Sequence, residues 1–399
     1  MSGLRIAIVA HGRFHAFDLA RELERLGHDV SVFGNYPTWA VERFGLRRSG
    51  YRGLPAHGAF DRALRRAAPA LLPATEAFRH RWFGQWAARA LVGQAWDIVH
   101  GWSGVSEELL RQPIDARSRV LMRGSAHIAE QADLLAAEAA RTGVAIDRPS
   151  PWMIDREERE YAHADRIVVL SEFARASFER RGVPRERLTV VPLGVAVDSF
   201  RVTPPVVQTR IARLLDGQPI RVLFVGALSA QKGLADFVTV ARACADLPMT
   251  FTLVGPSLPE TSRLLARGGS NITVLPARDQ AHLPAVYDAA DVFFFPTIQD
   301  GFGMVLAQAA AAGLVLLATT HCAAPEILAG GAQGWTVPAR DVDAMTTRLR
   351  WCHDHRSALA DRVRQAAVPA RLRGWDDVAA AFVAEAGTWM RAGEARGRD

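Results

Sequence analysis

The sequence predicts an α/β protein of two doubly wound domains facing each other across a cleft. Three observations predict it. The chain has 399 residues, too many for one compact core at roughly 100–200 residues per domain. Short apolar runs alternate with helical patterns, break off at a proline-bearing stretch, and then begin again. The runs are also continuous in Val, Ile, Leu and Phe, as in strands buried on both faces of a parallel sheet.

Residues 5–10 form the first predicted strand and 14–26 the first helix, where Ala16, Leu19, Ala20, Leu23 and Leu26 recur at helical spacing. Gly27 caps that helix, and 29–33 is the next strand. Strands follow at 97–100, 119–122, 166–170 and 188–191, with helices at 126–141, 152–163 and 172–181. The stretch 200–219 holds Pro204, Pro205 and Pro219 without a strong period and reads as a linker. Strands resume at 220–225, 250–254, 272–274, 292–295, 314–318 and 335–337. The expected domains are thus 1–200 and 220–373, joined by 201–219. A helix at 374–391 is expected to pack back on the first domain, ahead of a polar Arg/Gly tail. In such a fold ligands lie in the crevice at the carboxyl ends of the strands.

Apolar residues make up 49% of the chain and charged residues 23%, which excludes a disordered or collagen-like chain. The three cysteines, Cys244, Cys322 and Cys352, cannot build a disulfide framework and lack zinc-site spacing. A reducing cytoplasm is expected. The longest clean apolar run, 309–318, has ten residues, whereas a membrane span needs about 20. The run 4–10 is too short for a signal sequence and reads as a buried strand.

The net charge is +6, and 48 residues are basic, of which one alone, Lys232, is lysine. Between Arg43 and Arg89 stand ten arginines against Asp61 and Glu76, a local charge of +8. An anionic partner is therefore a question about this segment.

Two segments carry chemistry. In Phe295-Pro-Thr-Ile-Gln-Asp300-Gly301-Phe302-Gly303-Met304-Val305, a strand ends, a glycine-bearing loop follows, and a helix starts. A helix N-terminus offers free N–H donors and a positive dipole end, suited to a diphosphate or a sugar hydroxyl. Gln308 lies eight residues after Asp300, a little over two turns, so both can address one site. The bland alternative is that Asp300 merely caps the helix. The second segment, Gly226-Ala227-Leu228-Ser229-Ala230-Gln231-Lys232-Gly233, again runs strand, glycine, loop, helix. A lone ammonium kept there, in a chain that otherwise uses arginine, suits a phosphate needing a compact point charge. Gly255 follows the strand 250–254 in the same way. The dinucleotide fingerprint G-x-G-x-x-G and the P-loop are both absent.

Together these segments resemble the retaining GT-B glycosyltransferases of family 4, whose fold is two Rossmann-like domains. Glu160-Tyr-Ala-His-Ala-Asp165 leading to Ser171-Glu172-Phe173 is similar to the family's first-domain helix and strand, and Val190-Val-Pro192-Leu193-Gly194 to its inter-domain signature. Asp300-Gly-Phe-Gly303 with Gln308 stands where the family carries paired glutamates, and Ala312-Gly313 and Glu326 follow at the expected spacing. Two departures stand out. Gln308 replaces the second glutamate, and Ala227 replaces the arginine usual after the first glycine of the phosphate loop. Arg13, Arg123 and Arg278 are the candidates to supply the missing cation.

The resemblance implies transfer of a sugar from a nucleotide diphosphosugar of UDP or GDP type to a glycan or lipid-linked acceptor, with retention and with no essential metal or cofactor. It places Asp300 on a donor-sugar hydroxyl, Lys232 and the N–H groups of Gly303, Met304 and Val305 on the diphosphate, and Gln308 and Glu326 near the ribose or sugar. Gly226, Gly255, Gly301 and Phe302 belong to the same donor side, and His127 to the donor sugar. Gly12, Arg13 and His15 follow the first strand and are expected on the acceptor side.

Residues 75–92 carry Phe78, Trp82 and Trp86 at i, i+4 and i+8, flanked by Arg79, Arg81 and Arg89. Such a stripe suits either an anionic membrane surface at the inner face of the cell membrane or the domain's own core. No nucleic-acid motif accompanies the basic excess. Two alternatives stay open: a sugar-nucleotide epimerase of the same fold, and a weakly catalytic or non-catalytic nucleotide-sugar binder.

Overall fold

A computed structural model describes residues 3–329, 331–368 and 372–396, the last six without side chains. Among the described residues thirteen strands form two wholly parallel sheets. The first contains β1 (Arg5–Val9), β2 (Asp29–Gly34), β3 (Tyr51–Gly53), β4 (Trp96–Trp102), β5 (Ala116–Met122), β6 (Arg166–Val169) and β7 (Leu188–Val190) in the order β3-β2-β1-β4-β5-β6-β7. The second contains β8 (Ile220–Val225), β9 (Met249–Val254), β10 (Ile272–Leu275), β11 (Val292–Phe295), β12 (Val315–Thr319) and β13 (Gly334–Val337) in the order β10-β9-β8-β11-β12-β13. Strand order reverses beside β1 and beside β8, so each sheet has its switch point there.

The continuous apolar runs explain the layering. Ile6, Ala7, Ile8 and Val9 are all buried, as are all four residues of β11, Val292, Phe293, Phe294 and Phe295. Helices cover both faces. In the second half Phe224, Phe251, Phe293 and Phe294 of the sheet and Phe237 of the helix Leu234–Ala243 are fully buried, each side chain worth about 1.5–3 kcal/mol when removed from water.

Twelve of these strands fall where the sequence predicts them. The thirteenth, β3, is three residues long and ends in glycine, too short to carry a pattern. The stretch 201–219 holds a helix, Pro204–Leu215, where the sequence reading finds no strong period. Val207, Arg210, Ile211 and Leu214 are its buried stripe, at i, i+3, i+4 and i+7. An arginine inside that stripe masks it. Arg210 is fully buried and donates to the carbonyls of Ala312, Gly313 and Tyr287 at 2.8, 3.2 and 2.9 Å. The last helix, Trp375–Arg396, lies against the helix Ala16–Arg25 and β5. There the Phe382 ring meets His100 at 5.0 Å, and Trp389 Nε1 donates to Thr189 Oγ1 at 3.2 Å.

Candidate active site

The carboxyl ends of the two sheets face each other across a cavity of about 590 Å³. On the second sheet, β8 ends at Gly226 and the chain loops to the helix Leu234–Ala243. Gly233 makes this turn with φ 78°, and a Cβ there would lie 1.8 Å from the Pro296 carbonyl oxygen. No other residue fits. The neighbouring strand β11 ends just before Pro296, and the loop that follows opens the helix Met304–Ala311.

Asp300 joins the two loops. Its Oδ2 lies 2.6 Å from Lys232 Nζ. Its Oδ1 accepts the N–H groups of Phe302 at 3.2 Å and Gly303 at 3.1 Å. One carboxylate thus holds both the Lys232 ammonium and the loop that leads into the helix. Beyond the cap, the first-turn N–H groups of the helix lie at the cavity, lined here by Gly303, Met304 and Val305.

The structure brings Gly226, Lys232, Asp300, Phe302, Gly303, Met304 and Val305 together on one cavity wall, with His15 and Arg123 opposite. Gly301 stands at the edge, where the sheets nearly touch; a Cβ on it would lie 2.0 Å from the Gly124 carbonyl oxygen. Beside it Gln299 Nε2 donates to Ser125 Oγ across the same seam. Gly255 supports the loop from behind, since a Cβ there would strike the Gly226 carbonyl oxygen at 1.8 Å.

Several predicted site residues lie elsewhere. His127 does not line the cavity. It opens the helix Ile128–Thr142, its Nδ1 accepts the Ala129 N–H at 3.3 Å, and its ring packs 4.9 Å from both Tyr161 and Phe178. Burial lowers its pKa to about 4, so it is a neutral helix cap. The residue at the end of β5 that does face the cavity is Arg123. It is occupied: its guanidinium donates to Glu157 at 3.1 Å, Gln131 at 2.6 Å and the Ala126 carbonyl at 3.1 Å. Arg13 sits outside the lining, 3.6 Å from Asp18 and over the Phe44 ring at 4.8 Å. Gly12 and the exposed Arg278 are also outside it. Gln308 is buried one turn into the helix, where its Oε1 accepts the Tyr287 hydroxyl at 3.0 Å. Glu326 lines a second, larger cavity of about 840 Å³ that shares Leu170, Leu193 and Phe302 with the first. Its Oε1 accepts the Glu172 N–H at 2.5 Å from the other sheet, and burial raises its pKa.

Sequence reasoning missed His11, Phe14, His80 and Trp102, all of which line the cavity. His11 and Trp102 stand at the carboxyl ends of β1 and β4, a position that the switch-point rule marks. His80 arrives on the helix Leu72–Leu91 and gives no local signal. Its Nδ1 lies 2.8 Å from the Gly104 carbonyl oxygen, so that nitrogen carries the proton. Burial lowers the pKa of His11 to about 3 and of His15 and His80 to about 4. All three imidazoles are neutral at pH 7. Among the described residues no group of three or more His, Cys, Asp or Glu is arranged to hold a metal ion.

Two parallel α/β sheets with Lys232, Asp300 and a helix mouth at their shared crevice define a class: two-domain α/β proteins whose candidate site lies between their halves. Residues 13–199 match the family described as Glycosyltransferase Family 4, and residues 219–355 the one described as Glycosyl transferases group 1. The chain belongs to the group 1 glycosyltransferases of GT-B fold. It is 26% identical over 221 residues to a protein of Salmonella typhimurium named for colanic acid biosynthesis, the glycosyltransferase WcaL, covering 51% of this chain and 52% of that one. It is 29% identical over 258 residues to the D-inositol 3-phosphate glycosyltransferase of Mycobacterium bovis, covering 60% and 52%. The chain thus spans about half the length of the curated relatives it matches. The crystal structure of Anabaena HepE in complex with UDP superposes with a TM-score of 0.62 at 15% identity, covering 96% of this chain and all of that one.

Proposed function

We propose that the protein is a retaining, metal-independent glycosyltransferase. It moves a sugar from a nucleotide diphosphosugar to a glycan or lipid-linked acceptor in the synthesis of cell-surface polysaccharide. The observation that carries the reading is the Lys232–Asp300 pair at the mouth of the helix Met304–Ala311, on the wall of the inter-sheet cavity. The WcaL and UDP-bound HepE likenesses support the acceptor class and the donor class respectively.

An ammonium has three donors. One is spent on Asp300 and two remain for diphosphate oxygens. With the N–H groups of Gly303, Met304 and Val305 they stabilise the charge that grows on the leaving diphosphate, and such preorganised donors are usually the largest catalytic term. Asp300 holds a donor-sugar hydroxyl. Positive charge comes from the protein, so chelator is expected to leave turnover unchanged. A thermal-shift screen of UDP-, GDP-, ADP- and TDP-sugars tests the donor, and product formation by Lys232→Ala tests the site. A protein stabilised by no sugar nucleotide would refute the reading.

A second element of the reading is a peripheral cytoplasmic position on an anionic membrane. Phe78 is 57% exposed, its ring tilted 5.6 Å from Trp82 and edge-on 6.1 Å from Phe60. Arg62, Arg65, Arg66 and Arg81, on the same two helices Pro55–Ala67 and Leu72–Leu91, are exposed. The stripe read from sequence divides here. Trp86 turns inward onto Phe33 and Phe83, and Arg79 is buried on Asp61 at 2.6 Å. Among the described residues no helix is long and apolar enough to cross a membrane. Sedimentation with phosphatidylglycerol vesicles, but not phosphatidylcholine vesicles, is expected, and Phe78→Ser should weaken it.

A further inference from the structure

The wall of the cavity contributed by the first sheet is built unlike the wall opposite. Its side chains include His11, Phe14, His15, His80 and Trp102, four of them heteroaromatic. The rings fall into two groups on this wall: His11 lies 5.3 Å from His80 and 5.8 Å from Phe14, and His15 lies 5.0 Å from Trp102. Three nitrogens on this surface are shut from solvent and have no hydrogen-bond partner in the chain: His11 Nδ1, His15 Nε2 and Trp102 Nε1. Buried polar groups left this way cost stability unless something else completes them.

Charge is accounted for separately. Among the described residues lining the cavity, the charged side chains form two opposite pairs, Arg123 with Glu157 at 3.1 Å and Lys232 with Asp300 at 2.6 Å. The second pair lies on the donor side. The first leaves this wall with no net charge. A phosphate or carboxylate held against this wall would face Arg123 alone, whose guanidinium already donates to Glu157, Gln131 and the Ala126 carbonyl, at a desolvation cost that hydrogen bonds to neutral rings do not offset. A neutral sugar ring meets the opposite requirements. Its C–H faces pack on aromatic rings, and its hydroxyls both donate and accept, which suits an indole N–H and neutral imidazoles alike.

We infer that this wall is the acceptor subsite and that the acceptor residue it takes is an uncharged sugar, recognised by His11, His15 and Trp102, rather than a phosphorylated or acidic one. The inference rests on the glycosyltransferase reading and names its acceptor class. The relative named for D-inositol 3-phosphate is similar to this chain, so the two acceptor chemistries are real alternatives.

Saturation-transfer NMR on the full chain decides between them. UDP reports on the donor side. The methyl glycosides of glucose, galactose and mannose report on the acceptor side, against glucose 6-phosphate, methyl glucuronide and inositol 1-phosphate. Expected is saturation of at least one neutral glycoside and none of the charged probes. Trp102→Phe, which keeps the ring and removes the N–H, should weaken that glycoside by about three- to tenfold, the worth of one hydrogen bond, with its melting temperature confirming the fold. UDP binding should be unchanged in this variant. Binding of a charged probe as strong as that of the neutral ones, or no glycoside binding at all, overturns the inference. Absence of UDP binding alongside retained glycoside binding would instead count against the donor reading and leave this one standing.

Discussion

Asp300 and Lys232 come from loops after different strands, 68 residues apart in sequence, and meet at 2.6 Å. The carboxylate divides its oxygens. One holds the ammonium, and the other holds the N–H groups of Phe302 and Gly303 just ahead of the helix. The same side chain thus fixes the cation and the helix mouth beside it. Lys232→Ala removes the cation alone. It should lower kcat by about 10²–10³-fold, the usual cost of one preorganised donor, with little change in melting temperature. Asp300→Ala removes the cap as well. It should abolish turnover and also destabilise the protein by about 1 kcal/mol. Turnover assays paired with urea unfolding of both variants separate the two roles.

Gly301 marks how closely the halves approach. The first β-carbon on this residue would fall 2.0 Å from the Gly124 carbonyl oxygen and 2.8 Å from Ser125 Cα. Backbone cannot yield to such a contact as a side-chain tip can. Gly301→Ala is therefore expected to hold the sheets apart, lower turnover at least tenfold and increase the radius of gyration in small-angle scattering, while each half stays folded. An unchanged radius with full activity would show that this seam does not need to close.

The sheets and the cavity loops of the second half were legible in the sequence because each has a local cause. Buried parallel strands need continuous apolar runs, and Gly226, Gly233 and Gly303 punctuate strand-to-helix turns at which the lone lysine and Asp300 stand. The opposite wall was not legible in this way. His11, His80 and Trp102 come from three separate elements, and nothing in their local sequence indicates that they share a surface. His127 misled for a related reason: a histidine that opens a helix looks the same whether its ring faces a ligand or, as here, Tyr161 and Phe178. The helix Pro204–Leu215 escaped because its buried stripe contains Arg210, whose place inside is set by carbonyls about a hundred residues away and nearer.

A cluster of charges spans the halves on the far side of the helix that follows Lys232. Arg141 lies 2.6 Å from both Glu138 and Asp236, and Arg340 lies 3.0 Å from Glu138. Glu138 and Asp236 are fully buried. Burial raises the pKa of Asp236, and Arg141 opposes that shift. Removing one partner of a buried pair costs about 3–5 kcal/mol, because the other charge is left uncompensated. Arg141→Ala should therefore be strongly destabilising, whereas Arg141→Ala combined with Asp236→Leu should recover part of the loss. Urea unfolding of the single and double variants measures the coupling. Equal stability of the two would show that the pair acts independently.

Acid stability offers a check on the buried histidines. His100 is fully buried between Trp102 at 4.9 Å and Phe382 at 5.0 Å, and burial lowers its pKa to about 3. In the unfolded chain a histidine titrates at about 6.5. Between those values the unfolded state binds a proton that the folded state refuses, so folding stability is complete above pH 6.5 and is lost as pH falls toward 3. One such residue contributes a slope of up to about 1.4 kcal/mol per pH unit. Burial acts on Glu160 in the other direction, raising its pKa to about 8, so it favours the folded state as pH falls. The total slope of the native protein therefore mixes both signs, and the difference between native protein and His100→Phe isolates the histidine. Urea unfolding at pH 7.5, 6.0 and 5.0 should show the variant losing less stability than the native protein at each acid step. Parallel losses in the two proteins would mean that His100 takes up its proton without unfolding, and that the contact with the last helix opens to water.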